Sequence, residues 1–453
     1  MRSISTTWFR SALLPLMMGG GGGLYAQTVT DSPYSSYGFG DLIGNTQVPQ
    51  ALMGGVSVTT LDPYSVASLQ PASYAGLQKT TFEIGGVGRR VQLRSDEGSQ
   101  VRTSARFLGF GLGVPFGSGR WGLALGLAPF SDVGFEITDK AYLSDGQEVD
   151  LKYLGDGGLN RAYAGLGWAV WQNRDSLGNG ERLTVGANFN YVFGGIERTR
   201  KAIYPTGQNY VNDRAFSSLT MRDPTYDVGI QFQGGLKQRR SLDDPLWRYV
   251  VGVTVQPQVS LGARRTELIT SYTVGSSGVE FTRDTIAYSE SVRGKVKVPL
   301  AWGLGAGIVG PAWSVMAEIR QRDWSRSRID VEGYQAPAPL GNSLYYGLGA
   351  SWTPSGGRAG GFLERSTYRV GFFHQQDYLI VNGEQLKEIG MSFGTSLPVM
   401  SSITRSRFNL GVQLGKRGTQ ANGAIDERYV ALYVGVSITP DLREKWFKKT
   451  RIE

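Results

Sequence analysis

The chain contains no cysteine and only one histidine, His374. The first absence removes disulfide frameworks and thiolate metal sites. The second leaves no pair of imidazoles for a zinc centre. No hydrophobic run is long enough for a transmembrane helix, which needs ~20 apolar residues. The longest candidate, Ala12 to Met18 near the N-terminus, falls far short. Mean hydropathy is −0.21, a value shared by soluble chains and by membrane β-barrels, whose lipid-facing and lumen-facing residues average out. Catalytic constellations are also missing. No nucleophile-elbow motif accompanies His374, and no strand–loop–helix context surrounds Gly19–Gly23 or the spaced Gly109, Gly111 and Gly113. We therefore expect no enzyme, no cofactor and no metal. The net charge is +9, but the basic residues are scattered, without the stripe or motif that nucleic-acid binding requires.

Glycine and aromatic residues are plentiful: 64 Gly, 22 Tyr and 10 Trp. At the N-terminus, Arg2 and Arg10 precede a short apolar stretch, Ala12 to Met18, and Leu24-Tyr25-Ala26 precede Gln27. This pattern predicts a secretory signal over 1–26, cleaved after Ala26. With no cysteine to follow the cleavage site, a lipoprotein is not expected.

The later sequence is dominated by period-two alternation. Val430, Leu432, Val434, Val436 and Ile438 fall on one face of a strand, and Tyr429, Ala431, Tyr433, Gly435 and Ser437 on the other. The same pattern recurs over 183–193, 313–320, 388–397 and 407–415. A soluble sandwich also alternates. However, runs of about ten residues match tilted membrane strands better than the five or six typical of a sandwich. Glycine on the non-greasy face and aromatics near segment ends fit a membrane barrel as well.

Fourteen strands are expected between 80 and 440, the first near Phe82–Leu93, the third near Trp121–Phe130 and the last near Tyr429–Thr439. Long connections (131–160, 197–225, 262–292, 323–343) alternate with short ones (116–119, 173–180, 309–311). That alternation predicts an even-stranded antiparallel barrel with both termini in the periplasm, placed in the outer membrane of a Gram-negative bacterium. Residues 27–79 lack such alternation but carry many Gly, Pro and apolar residues, which suits a plug, or hatch, within the lumen. Residues 441–453 form a basic tail around Trp446 and Phe447, expected in the periplasm, where it either touches lipid headgroups or is solvated.

Three short stretches resemble the N-terminal hatch of the long-chain fatty-acid transporter (FadL/TodX-like) family: Met53-Gly54-Gly55-Val56-Ser57, Asp62-Pro63-Tyr64-Ser65, and Leu69-Gln70-Pro71-Ala72-Ser73-Tyr74-Ala75-Gly76-Leu77. Gln70 stands where the family's motif, here Gln70, Pro71 and Ala72, has asparagine. Gly158-Leu159-Asn160-Arg161, Gly294 to Pro299, Gly383 to Leu386 with Gly390 to Pro398, and Lys445 to Lys449 resemble a divergent branch of the same barrels. The resemblance covers nearly the whole chain after residue 26. It implies a fourteen-stranded barrel with a lumenal hatch, a monomer, and passage of small hydrophobic, fatty-acid-like molecules. Some relatives instead serve protein secretion or outer-membrane assembly, which is the alternative reading of function. The expected partners are thus outer-membrane lipid and either a hydrophobic small molecule or envelope proteins.

In the family, a kink in the third strand opens the barrel wall toward lipid. Here Pro129 lies in that strand, and proline cannot donate in a ladder. A lateral gate at Pro129, lined by Phe130, is the resulting expectation, and a rim bulge is the blander one. Asn188, Asn190, Gln231, Glu318, Arg320, Arg407 and Gln413 fall on the lumen face. They are expected to line a path, to hold the hatch, or simply to pack.

Overall fold

The computed structural model describes residues 32–440, apart from short stretches at 45–46, 97, 145, 206–209, 276, 335–337, 357–359, 400–404 and 421–422. The expected signal segment and the basic tail lie outside the described residues.

Fourteen antiparallel strands close on themselves. They are β1 (Thr81–Ser95), β2 (Gly98–Phe116), β3 (Trp121–Tyr142), β4 (Glu148–Arg174), β5 (Gly180–Ile203), β6 (Asn212–Gly235), β7 (Arg248–Gln256, resuming as Val259–Val274), β8 (Glu280–Val298, resuming as Ala301–Val309), β9 (Trp313–Asp323), β10 (Asn342–Trp352), β11 (Thr367–Val381), β12 (Glu384–Pro398), β13 (Arg407–Arg417) and β14 (Asp426–Ile438). The interruptions in β7 and β8 sit beside Pro257 and Pro299, which have no N–H to give a ladder. β14 pairs with β1 from Ile438↔Phe82 to Asp426↔Arg94, which closes the barrel.

The alternation sorts as chemistry requires. Leu432 is 47% exposed and Phe189 49%, whereas Ala431 is 2% exposed and Asn190 0%. The greasy face is thus the outer one, and the small and polar face looks into the lumen. This apolar outer belt places the barrel in the outer membrane. Stacked rings mark its lower rim: Phe116, Trp121 and Trp168 with centroids 6.2 and 5.0 Å apart, and Trp313 on Trp352 at 5.3 Å. Aromatic rings favour that interface because they present an apolar body and a polar tip. His374 is on the same outer face, stacked on Tyr346.

The expected long loops are a point of correction. Residues 131–160, 197–225 and 262–292 are mostly strand: β3–β4, β5–β6 and β7–β8 continue as paired hairpins beyond the membrane, and β4 alone runs for 27 residues. A membrane strand needs only about 9–11. The ladder persists there with an apolar, packed inner face nearest the membrane (Val133, Phe135, Leu219, Met221, Ala263) and largely exposed faces toward the tips, so the apolar outward alternation that marks a strand in sequence stops at the membrane edge.

Candidate functional site

Residues 32–79 run through the lumen and contain little regular structure: 3-10 turns at Pro33–Ser36 and Pro71–Gly76, a helical turn at Val48–Ala51 and a two-residue strand at Asp41–Leu42. The glycines of the lumen face explain how it fits. A Cβ at Gly122 would lie 1.9 Å from the Tyr74 carbonyl oxygen, one at Gly186 2.3 Å from the Pro71 carbonyl carbon, and one at Gly371 1.8 Å from the Gly54 nitrogen. Glycine thus lets the wall approach the hatch backbone directly.

Buried polar side chains then hold the segment in place. Glu318 Oε2 accepts from the Ser57 and Val58 amides at 2.7 and 2.8 Å, while its Oε1 pairs with Arg320 Nε at 2.9 Å. Arg320 stacks over Tyr345 at 4.1 Å. Asn188 Nδ2 donates to the Ser68 carbonyl at 2.8 Å and its Oδ1 accepts from the Tyr74 hydroxyl at 3.1 Å. Gln231 Nε2 donates to the Val58 carbonyl at 2.9 Å. Arg407 lies 3.5 Å from Asp62 Oδ2. Gln413 instead donates to the Tyr429 hydroxyl at 3.0 Å, within the wall. Asn190 is fully buried, and its amide finds no partner among the described residues.

Gln70 caps the Pro71–Gly76 turn by accepting from the Ala72 amide, and it also donates to the Val58 carbonyl at 2.9 Å. Its side chain fills the space left by Gly229 and Gly252. The longer glutamine still makes the N-cap contact expected of a short Asx-type side chain, and reaches the neighbouring hatch turn as well.

Sequence reasoning missed the strongest node. Arg417 of β13 donates to Asp41 Oδ1 at 2.7 Å, and through Nε and Nη2 to Asp377 Oδ2 of β11 at 3.0 and 2.7 Å. All three side chains are buried. Glu83 is a second missed anchor, accepting from the Val66 amide at 2.8 Å and from Ser437 Oγ at 2.9 Å. The available signal was a charged residue on the non-greasy face, as at Glu83 between Phe82 and Ile84. Asp377 lay past the hydrophobic stretch and gave none.

The wall has a seam between β2 and β3. β2 pairs with β3 only from Phe116↔Trp121 to Phe110↔Leu127. At Gly109, φ is +104° and a Cβ would lie 2.2 Å from the Leu127 carbonyl oxygen. This is a conformation and an approach that favour glycine, and it is where β2 turns away. Above it, β3 stays paired to β4 with a bulge between Pro129 and Ser131. Its free edge is taken by the hatch strand, Asp41↔Asp132 and Leu42↔Ser131, with the Ile43 amide on the Phe130 carbonyl at 3.0 Å. Arg106 spans the seam to Asp132 at 2.5 Å, and Arg102 to the Glu136 carbonyl at 2.8 Å. Pro129 and Phe130 both border a lumen cavity of about 340 Å³. Its walls carry Arg89, Arg106, Arg161, Arg320, Arg322 and Arg417 with Asp41, Asp377 and Glu388.

A family model described as BamG matches residues 10–453. The chain belongs to the BamG family. No curated protein matches it. Among solved structures, the deltaS2S3 mutant of the TodX monoaromatic hydrocarbon channel has a TM-score of 0.52 at 15% identity, over 87% of this chain and 99% of that one. The Pseudomonas putida toluene transporter TodX has a TM-score of 0.47 at 15% identity, over 88% and 98%. The Ralstonia pickettii toluene transporter TbuX has 0.47 at 13%, over 87% and 98%. At such identities the likeness is one of fold: this BamG-family member shares the barrel architecture of the TodX channel. Its lumen is filled by buried hydrogen bonds and ion pairs between hatch and wall together with buried apolar clusters around Phe39, Leu52 and Tyr74.

Proposed function

We propose that the barrel is a non-transporting subunit of an outer-membrane protein assembly complex. The observation that carries this reading is the filling of the lumen. Hatch and wall are joined by buried carboxylates and guanidinium groups, and the cavity beside them carries six arginines and three acids within a mixed lining that also includes Leu108, Phe130, Trp302 and Phe373. A greasy molecule crossing this space would have to strip water from charged groups without replacing it, which is strongly unfavourable. The family name BamG points the same way. The test is depletion of the protein followed by quantification of other outer-membrane barrels. Their loss, with uptake of aromatic or long-chain hydrophobic compounds unchanged, is the expected result. An unchanged barrel inventory with lost uptake would overturn the proposal.

The seam favours a second reading, in which a small hydrophobic, fatty-acid-like molecule leaves sideways between β2 and β3. Pro129 and Phe130 would form that gate. Pro129→Ala restores a donor at the bulge and would lower uptake of a labelled fatty acid. Uptake equal to that of the parent would remove the gate from consideration.

A further inference from the structure

Lumen arginines in this barrel are usually matched to acids. Arg161, Arg320, Arg369, Arg407 and Arg417 each meet a carboxylate within 4 Å. The periplasmic mouth breaks that pattern. Arg174 at the end of β4, Arg182 at the start of β5 and Arg248 at the start of β7 lie on the lumen face within the run of strands β4 to β7. Arg182 is opposite Gln233 of β6, and Arg248 is opposite Gly235 two residues on. Arg174 reaches across β5 to Gln233 at 2.7 Å, which brings its guanidinium beside that of Arg182.

Among the described residues, none of the three has a carboxylate within ion-pair distance. Arg182 is engaged by the Ala75 and Gly119 carbonyls at 2.7 and 2.9 Å. The half-buried Arg248 side chain makes no hydrogen bond or ion pair among the described residues, and of its nitrogens only Nε is shielded from water. Of the nearby acids, Glu181 and Asp243 are exposed and make no ion pair with these arginines among the described residues, and two others are committed. Asp175 in the β4–β5 turn is held by Asn179 and the turn amides, which keep its carboxyl below the usual range. Asp244 accepts from the Arg240 and Ser241 amides. Lys237, Arg239 and Arg240 on the adjoining β6–β7 connection add to the positive field. Three clustered cations, one of them half-buried with no side-chain partner among the described residues, repel one another and gain when an anion enters.

We infer that the periplasmic mouth formed by Arg174, Arg182 and Arg248 is a binding site for an acidic peptide segment of a periplasmic partner. Guanidinium forks match carboxylates in geometry and charge. The three face the lumen rather than the lipid, which disfavours a headgroup as the ligand. The chain's own residues 441–453 are predominantly basic and of the wrong sign. The site rests on the reading of the barrel as a complex subunit, and it supplies the surface through which a periplasmic component is engaged.

The test uses the full barrel in nanodiscs of zwitterionic lipid, with a fluorescent poly-aspartate peptide as probe and anisotropy as readout. Binding should saturate at low salt and weaken as salt rises. The Arg174→Gln/Arg248→Gln double variant, which spares the hatch contacts of Arg182, should bind roughly tenfold more weakly. Arg200→Gln, at the opposite end of the barrel, should bind as the parent does. Heat-modified gel mobility verifies that each variant is folded. Absence of saturable binding, equal binding by the double variant, or binding of inorganic phosphate alone would each overturn the assignment. The readout is independent of barrel assembly in cells: peptide binding with an unchanged barrel inventory after depletion would leave the site standing and remove the proposed function.

Discussion

Arg417 concentrates more of the architecture than any other side chain, because one guanidinium satisfies carboxylates from two separate parts of the chain. Replacing it with methionine keeps much of its volume but leaves Asp41 and Asp377 buried without their cation. Breaking a buried pair from one side costs about 3–5 kcal/mol. Arg417→Met is therefore expected to lower resistance to denaturant in detergent by that order and to expose the hatch strand to protease, with the β-sheet signal retained at low temperature. Stability equal to the parent would mean that water already solvates this node. Sequence parity turns Glu318, Arg320 and Asn188 inward, since a charged or amide group has no place on a lipid face, and Glu318 and Asn188 are buried against residues 57–74. It did not name their partners, because Ser57 and Glu318 are 261 positions apart and Asp41 and Arg417 376 apart, and nothing local records such a contact.

At the scale of elements, the lumen glycines do what side chains do elsewhere: they set the distance between two backbones. Gly186 on β5 lies under the Pro71–Gly76 turn so closely that any Cβ overlaps it. Gly186→Val should displace that turn while leaving the ladders of β5 with β4 and β6 intact. The expected signature is new proteolytic cleavage within residues 71–79 in a variant that still shows heat-modified gel mobility. A barrel that fails to assemble instead would show that the hatch is needed for closure. The membrane-spanning core of every strand was legible because lipid on one side and lumen on the other impose strict alternation. The outer parts of β3 to β8 were not, because their outward face leaves lipid for water and accepts polar residues, while the apolar residues that remain, such as Val133, Phe135 and Met221, pack inward. The expectation of long loops failed there for that reason.

For the whole molecule the decisive question is whether the seam between β2 and β3 works as a door or as a finished wall. The hatch strand occupies the free edge of β3 as a short added strand, and Arg102 and Arg106 bridge the remaining gap. A closed barrel has no edges, and here the N-terminal segment covers part of an edge that the fold leaves open. The absence of cysteine allows a clean trial. Leu42 and Ser131 are register partners, and opposed residues of an antiparallel pair are about 4.5–5.5 Å apart at Cα, within reach of a disulfide. In the L42C/S131C variant, oxidation should fix the hatch strand to the wall. If the protein acts as an assembly subunit with a permanent wall, cells carrying the oxidised variant should keep a normal inventory of outer-membrane barrels. If the seam must open, the oxidised form should lose activity and recover it on reduction, and a return of fatty-acid uptake on reduction would identify that opening with transport.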